Sequence, residues 1–493
     1  MGDLARRVAL RRSELDSVMT TTCDVLVIGS GAGGAPTAAL LAEAGLDVIV
    51  VEEGSHIEQG VIVPFSLEQM NRQYRGGGVT VALGRPSIAY TEGRCAGGGT
   101  EVNSGLYRRP PGEVVERWRQ GWRIDDLDPD DVERLAGEVE TALSVQLLPG
   151  PASEPSRALQ RGAERLGWKS DESPRWMTYP DGDPRRGQRQ SMTRTYLPRA
   201  AAAGARLMYD CRVDRLEFTG DRAVAAHVTR ADGSRGSIRF RDVFVCAGAI
   251  HTPALLQRSG LRRNIGRTLA VHPTVKLAAR FADRVNVPDD VPVHQVKEFA
   301  PDLSFGGSAS HPGLVALALL DNWRDFKGAV VEWPNIAVYY AAITSEGRGR
   351  VVSLPGTTDP LVTYRLTSRD RSLLAQGLER LSMLLLEAGA TDVFPSYRDA
   401  PRVRDRRSLA DVSSTFRASK ASVMTVHLCS TVPMGEDRDR CGASSHGLVH
   451  DTVNVRVNDA SLLPDAPGVN PQGSVMSVAL RNVRHFLTEV RRG

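Results

Sequence analysis

The chain has 493 residues, more than one hydrophobic core comfortably serves, so two domains are expected. Apolar residues make up 41% and charged residues 24%, and the formal net charge is only +4, spread over interspersed arginines and acids. That balance excludes a nucleic-acid ligand on charge, and no run of about 18 apolar residues marks a membrane span.

Residues 1–20 read as a polar, arginine-rich N-terminal extension. Arg6-Arg7 and Arg11-Arg12 are followed by no apolar h-region, so no export signal is expected and a cytoplasmic location is the default. Val25 to Ile28 is a continuous aliphatic run, as in a strand buried on both faces. A helix is expected from Pro36 to Ala44, closed by Gly45, and a second buried strand from Val48 to Val51. Residues 76–105 are glycine-dense and show no long period, so neither helix nor regular sheet is expected there; the chain should wrap closely around something. Helical patterning returns near Val132–Leu147. Strand-like runs follow at Leu207–Phe218, Val224–Thr229 and Val243–Ala247, and a long amphipathic helix is expected over Leu373–Ala388. The six cysteines (23, 95, 211, 246, 429 and 441) form no CxxC pair and read as reduced, mostly buried thiols.

The first chemical signal is Gly29-Ser30-Gly31-Ala32-Gly33-Gly34, a GxGxxG sequence between a buried strand and a helix. Gly29 permits the tight turn, Gly31 lets backbone N–H groups approach a pyrophosphate, and Gly34 lets helix and strand pack. The helix start, with Ala32 in its first turn, aims partial positive charge at phosphate. The second strand ends in Glu52-Glu53-Gly54, where Glu52 can hold both hydroxyls of an adenosine ribose, which disfavours NADP. The fingerprint does not separate FAD from NAD.

Four further segments do. Gly93-Arg94-Cys95-Ala96-Gly97-Gly98-Gly99-Thr100-Glu101-Val102-Asn103 resembles the flavin-cradling loop of the GMC (glucose–methanol–choline) oxidoreductase family. Residues 248–260, from Gly248-Ala249-Ile250-His251 to Ser259-Gly260, are similar to that family's second long motif. Val457-Asn458-Asp459-Ala460-Ser461 and Asn470-Pro471-Gln472 resemble its last segment. The resemblance implies an α/β fold: a doubly wound, Rossmann-like FAD-binding domain with an inserted α+β substrate domain, an antiparallel sheet covered by helices. The FAD-binding segments would be 21–110, 191–285 and 425–493, and the substrate-binding segments 111–190 and 286–424. It also implies that Val213 contacts adenine through its backbone, that Arg94, Gly98, Thr100 and Asn103 lie along flavin and pyrophosphate, and that Asp459 and Ala460 meet the ribityl–phosphate region. Asn470 and Pro471 would lie at the flavin. Members with covalent FAD carry a histidine just before the loop asparagine; Val102 stands there, so non-covalent FAD is expected.

Taking a hydride from an alcohol needs a base for the hydroxyl proton, and histidine suits neutral pH. His427, leading into Leu428-Cys429-Ser430-Thr431-Val432-Pro433-Met434-Gly435, resembles the family's histidine beside the flavin, and Asn470 its partner. Asparagine can donate to the substrate oxygen but cannot accept its proton, which leaves His427 as the base of the pair. His251 is expected to pack or cap near Thr252-Pro253, and His272 matches a structural segment. No histidine pair has zincin-like spacing, and no metal is expected. Arg185 to Arg189 is expected as a solvated loop.

The substrate is an alcohol of undetermined class, aliphatic or a sugar or glycoside; the chain looks most like the bacterial branch related to long-chain alcohol oxidases. Apolar positions between His294 and Trp323, including Phe299, Leu303, Phe305, Leu314 and Leu317–Leu320, read chiefly as core. The electron acceptor is oxygen or a quinone or other carrier. The family also includes flavin-bound hydroxynitrile lyases without net redox, the alternative reading.

Overall fold

The computed structural model describes residues 19–287 and 290–492. Most of the expected N-terminal extension lies outside the described residues, and its last two positions, Met19 and Thr20, already belong to a strand.

That strand, Met19–Ile28, runs parallel to Val48–Val51 on one side and to Arg235–Val245 on the other. Arg206–Met208 extends the parallel order beyond Val48–Val51, and Val455–Val457 pairs in parallel with the end of Arg235–Val245. The start of the same long strand instead pairs antiparallel with Arg222–Arg230, which pairs with Cys211–Thr219. Side chains alternate across this sheet. Val25, Val27, Val48 and Val50 pack against the helices Gly34–Glu43, Tyr196–Ala202 and Gln472–Arg492. Leu26, Ile28, Ile49 and Val51 face Leu255 and Leu256 of the helix Gly248–Arg258. Both faces are therefore dry, which is why these strands read as continuous aliphatic runs.

The second sheet has nine strands and is mostly antiparallel, centred on Thr274–Phe281 and Ile336–Ile343. One face is core: Val275, Leu277, Phe305, Tyr339 and Ala341 pack under the helices Ser368–Glu387 and Glu154–Leu166. The long helix starts on a Thr367–Asp370 capping box, and the same buried Asp370 carboxylate accepts from Ser345 Oγ at 2.9 Å, which fixes the helix to the loop beyond Ile343. On the opposite face Ala278 and Val338 pack under the helix Pro312–Ala318, and Thr274, Lys276, Tyr340 and Ala342 face the cavity next to the first sheet.

Two expectations change. The glycine-dense stretch holds regular structure: strands Thr80–Ala82 and Ile88–Tyr90 and a short helix Gly99–Val102. Its glycines gather at 76–78, 84, 93, 97–99 and 105, leaving β-forming Val79–Ala82 and Ile88–Tyr90 free to pair, and Ile88–Tyr90 joins the second sheet beside Val423–Thr425. Sheet membership also crosses the expected domain segments. Thr80–Tyr90 and Thr274–Phe281 sit in the second sheet, while Val114, Val115 and Trp118 of the helix Gly112–Trp122 pack against the first. Hydrophobic faces pair with whichever sheet they reach, whatever segment carries them. All six cysteines are free and buried.

Candidate active site

A cavity of about 560 Å³ lies between the two sheets and runs from the glycine turn at Gly29–Gly33 to His427 and Asn470. Of the expected residues, Gly29, Gly31, Ala32, Glu52, Gly98, Thr100, Asn103, Val213, Asp459, Ala460, Asn470, Pro471 and His427 all line it.

The glycine turn fits a phosphate-bearing cofactor. Gly29 has φ +99°, and a Cβ there would lie 2.3 Å from Cys246 O; a Cβ on Gly34 would lie 1.9 Å from Gly29 O. Both glycines serve close packing, and Gly34 is absent from the cavity wall. At Gly31 a Cβ would meet no protein atom within 4 Å: it would enter the space left open over the helix start. Glu52 receives Ser30 N at 3.0 Å, Ser30 Oγ at 2.8 Å and Gly54 N at 2.9 Å, which fixes the carboxylate at the strand end, and burial pushes its pKa up. Three donors leave acceptor capacity for a ribose hydroxyl. Val213 stands where the pairing of its strand with Arg222–Arg230 shifts register, so the backbone there departs from a regular ladder.

Asp459 turns inward. Its carboxylate accepts from Gly248 N at 2.7 Å, Thr252 Oγ1 at 2.6 Å and Ser461 N at 2.8 Å, tying the start of the helix Gly248–Arg258 to the loop that presents Ala460. Asn103 Nδ2 donates to Gln472 Oε1 and its Oδ1 accepts from Gly105 N, both at 2.9 Å, which joins the glycine loop to the Asn470 segment. Thr100 Oγ1 donates to Gly97 O at 2.6 Å and shapes that loop from within. Arg94 departs from expectation: it is not on the cavity wall. A Cβ on Gly54 would lie 2.4 Å from Arg94 O, so the loop backbone rests on Gly54 and the side chain turns out to Glu53, 3.3 Å away.

At the other end, the strand Ala270–Val271 pairs antiparallel with Leu428–Cys429, Val271 opposite Leu428. One step further this register sets His272 opposite His427, and their Nδ1 atoms lie 2.9 Å apart. His272 Nε2 accepts from Gly468 N at 3.1 Å, two residues before Asn470. Burial first, and the Lys297 ammonium second, lower the His427 pKa to about 4; burial and the neighbouring His427 hold His272 well below the usual imidazole range. Asn470 Oδ1 accepts from Gln295 Nε2 at 3.4 Å, and Gln295 Oε1 accepts from Arg108 Nε at 3.2 Å.

Sequence reading assigned His272, Gln295, Lys276, Lys297 and His251 no place in this cavity. Alternation on the second sheet places Thr274, Lys276, Gln295, Lys297, Tyr340 and Ala342 on the cavity side. The polar residues among them, every second position in otherwise apolar strands, were the available signal. His251 lines the cavity beside Glu92, at 3.8 Å, rather than capping a helix. Leu303 and Phe305 are core as expected, Leu314 lines the cavity, and Leu317 and Leu320 are exposed. Within the basic loop, Arg186 pairs with Asp181 at the surface, but Arg189 reaches inward to Glu101 O.

No helix among the described residues is long and apolar enough to cross a membrane. Family models named GMC oxidoreductase match residues 70–274 and 344–479, and an FAD binding domain model matches residues 24–62. The chain is 40% identical over 479 residues to the uncharacterized GMC-type oxidoreductase y4nJ of Sinorhizobium fredii, covering 95% of each. It is 25% identical over 507 residues to long-chain-alcohol oxidase FAO4A of Arabidopsis thaliana, covering 94% of this chain and 68% of that one. It is 26% identical over 533 residues to 6'''-hydroxyparomomycin C oxidase of Streptomyces lividus, covering 94% and 90%. Among solved structures, pyridoxine 4-oxidase from Mesorbium loti superposes with a TM-score of 0.72 over 94% of this chain and 99% of its own, at 18% identity, a likeness of fold alone.

Proposed function

Because the chain belongs to the GMC oxidoreductase family, we propose that it oxidises an alcohol CH–OH to an aldehyde or ketone, with His427 as the base that takes the hydroxyl proton. The observation that carries this reading is the His272–His427 contact at the cavity end that also holds Asn470. FAD, when bound, supplies the hydride acceptor. It is held non-covalently, since the position before Asn103 is Val102, which has no nucleophilic atom.

With its pKa lowered to about 4, His427 is neutral at pH 7 and carries a hydrogen on only one ring nitrogen. Which nitrogen carries it depends on His272. Gly468 N–H donates to His272 Nε2, so His272 carries its hydrogen on Nδ1 and donates it to His427 Nδ1. In this resting tautomer His427 bears its hydrogen on Nε2 and, with Asn470 Nδ2, holds the hydroxyl oxygen. Accepting the proton at Nε2 requires the pair to exchange tautomers. In that exchange the His272 Nδ1 hydrogen passes to His427 Nδ1, His427 releases its Nε2 hydrogen to solvent in the cavity, and solvent returns one to His272 Nε2 in place of the Gly468 N–H contact. The two imidazoles thus serve first as donors that orient the alcohol and then as its proton acceptor.

An aliphatic alcohol or a sugar or glycoside hydroxyl is the donor, a reading supported by the names of the relatives, and oxygen or a quinone-like carrier takes the electrons afterwards. Anaerobic mixing of the holoprotein with alcohols of these classes should bleach its flavin band and release the matching carbonyl compound. A fully loaded flavoprotein that no alcohol of either class bleaches would refute the proposal.

A further inference from the structure

We propose that the alcohol is an organic anion, a hydroxyl-bearing carboxylate or phosphate ester, and that Lys276 and Lys297 recognise its charge. The inference rests on the alcohol-oxidation reading and names the substrate class of that site.

The cross-strand register places Lys276 opposite Tyr340, Tyr340 opposite Gly306, and Gly306 opposite Gln295. Lys297 lies two residues beyond Gln295 and so on the same face. The two lysines thus flank the cavity floor across three strand spacings and a two-residue offset along the strand, roughly 16 Å between backbones, with Tyr340 and Ala342 between them. Neither ammonium has a carboxylate within the 4.0 Å of an ion pair among the described residues. Among the residues that line the cavity the second-sheet strands contribute these two cations and no acid, while Asp171, opposite Gln295 and off the cavity wall, partly offsets Lys297; the lining carboxylates, Glu52, Glu53, Glu92, Asp359 and Asp459, lie elsewhere.

Placing unpaired ammonium groups in such a site is costly, and burial lowers each lysine to about 8, still protonated at neutral pH. For Lys276 no neighbouring charge offsets that burial. A neutral alcohol leaves this cost standing, whereas an anion removes it. Lys297 also acts on His427 and His272, which puts positive charge within reach of the reacting hydroxyl. The apolar wall of Leu106, Val291 and Leu314 suits a carbon skeleton joining hydroxyl to anion.

The test compares three probes on the holoprotein, 1-hexanol, 6-hydroxyhexanoate and 6-hydroxyhexyl phosphate, by the rate of anaerobic flavin reduction. A non-reducing pair, hexanoate and hexanamide, is followed through the perturbation of the oxidised flavin spectrum. One or both hydroxy-anions should outperform 1-hexanol, and which one does separates carboxylate from phosphate. In Lys276→Met and Lys297→Met the preference for the anion should fall about 10- to 100-fold, the worth of a charged hydrogen bond. Flavin content reports folding of each variant. Lys-dependent hexanoate binding without reduction by any alcohol would keep the anion site and sink the oxidation reading. Reduction by 1-hexanol as fast as by both hydroxy-anions, with no discrimination lost in the variants, would sink the anion site and keep the oxidation reading. Failure of hexanoate to bind more tightly than hexanamide, with neither hydroxy-anion outperforming 1-hexanol, also overturns the anion site.

Discussion

Replacing His427 by alanine removes the proposed base and leaves the cofactor cradle, which is built from the glycine turn and the Asp459 loop, untouched. A positioned general base is worth about 10²- to 10⁴-fold, or about 3–5 kcal/mol of barrier, and His427→Ala should lose that much of its flavin-reduction rate at full FAD content. The pH profile of the wild type tests the same assignment without a mutation. His427 must be neutral to accept a proton, so activity is present above its folded-state pKa and lost as pH falls through it. Burial and Lys297 set that value at about 4. At pH 7 only roughly one molecule in a thousand is then protonated. The reduction rate, followed by anaerobic stopped-flow spectroscopy, should be flat on its acid side down to about pH 5 and fall tenfold per unit only below about pH 4. An acid limb centred near the ordinary imidazole value of about 6.5 would refute the reasoning, as would a His427→Ala protein that reduces its flavin within about tenfold of wild type.

Three further outcomes are expected. His272→Gln removes the ring that orients His427 and exchanges its Nδ1 hydrogen with it, and should lower the flavin-reduction rate about 10- to 100-fold, by analogy with groups that orient a reactive histidine; a rate equal to wild type, measured in the same stopped-flow assay, would remove the pair from the mechanism. Gly31→Ala should give a folded protein of near-normal melting temperature that retains little FAD, because its Cβ meets only the cavity, whereas Gly29→Ala should damage folding through the 2.3 Å approach to Cys246 O; melting curves and the flavin-to-protein absorbance ratio separate the two. Acid precipitation should leave the yellow colour in the supernatant, and colour retained in the pellet would contradict non-covalent binding beside Val102.

What the sequence determined was local. The strand over Val25–Ile28, the Gly29–Gly34 turn, the helix after it and Glu52 follow within about thirty residues, and each is dictated by its own side chains: aliphatic runs for a sheet buried on both faces, glycines where backbones touch, a carboxylate at a strand end. The helix Ser368–Glu387 was legible from its period for the same reason. His427 and Asn470 were found because the residues around them resemble a family motif. The tertiary structure alone decided what lies against them. His272 is 155 positions from His427 and meets it only because Val271 pairs with Leu428; a shift of one residue in that register would separate the rings. Lys276 and Lys297 face the cavity because their strands turn the alternate residues, Val275, Leu277 and Val296, to the core. Arg94 faces Glu53 because Gly54 admits the loop backbone beneath it. Backbone conformation and periodicity are written within a few residues, whereas register and facing are set when distant apolar faces bury one another, and the chemistry of this cavity depends on the second.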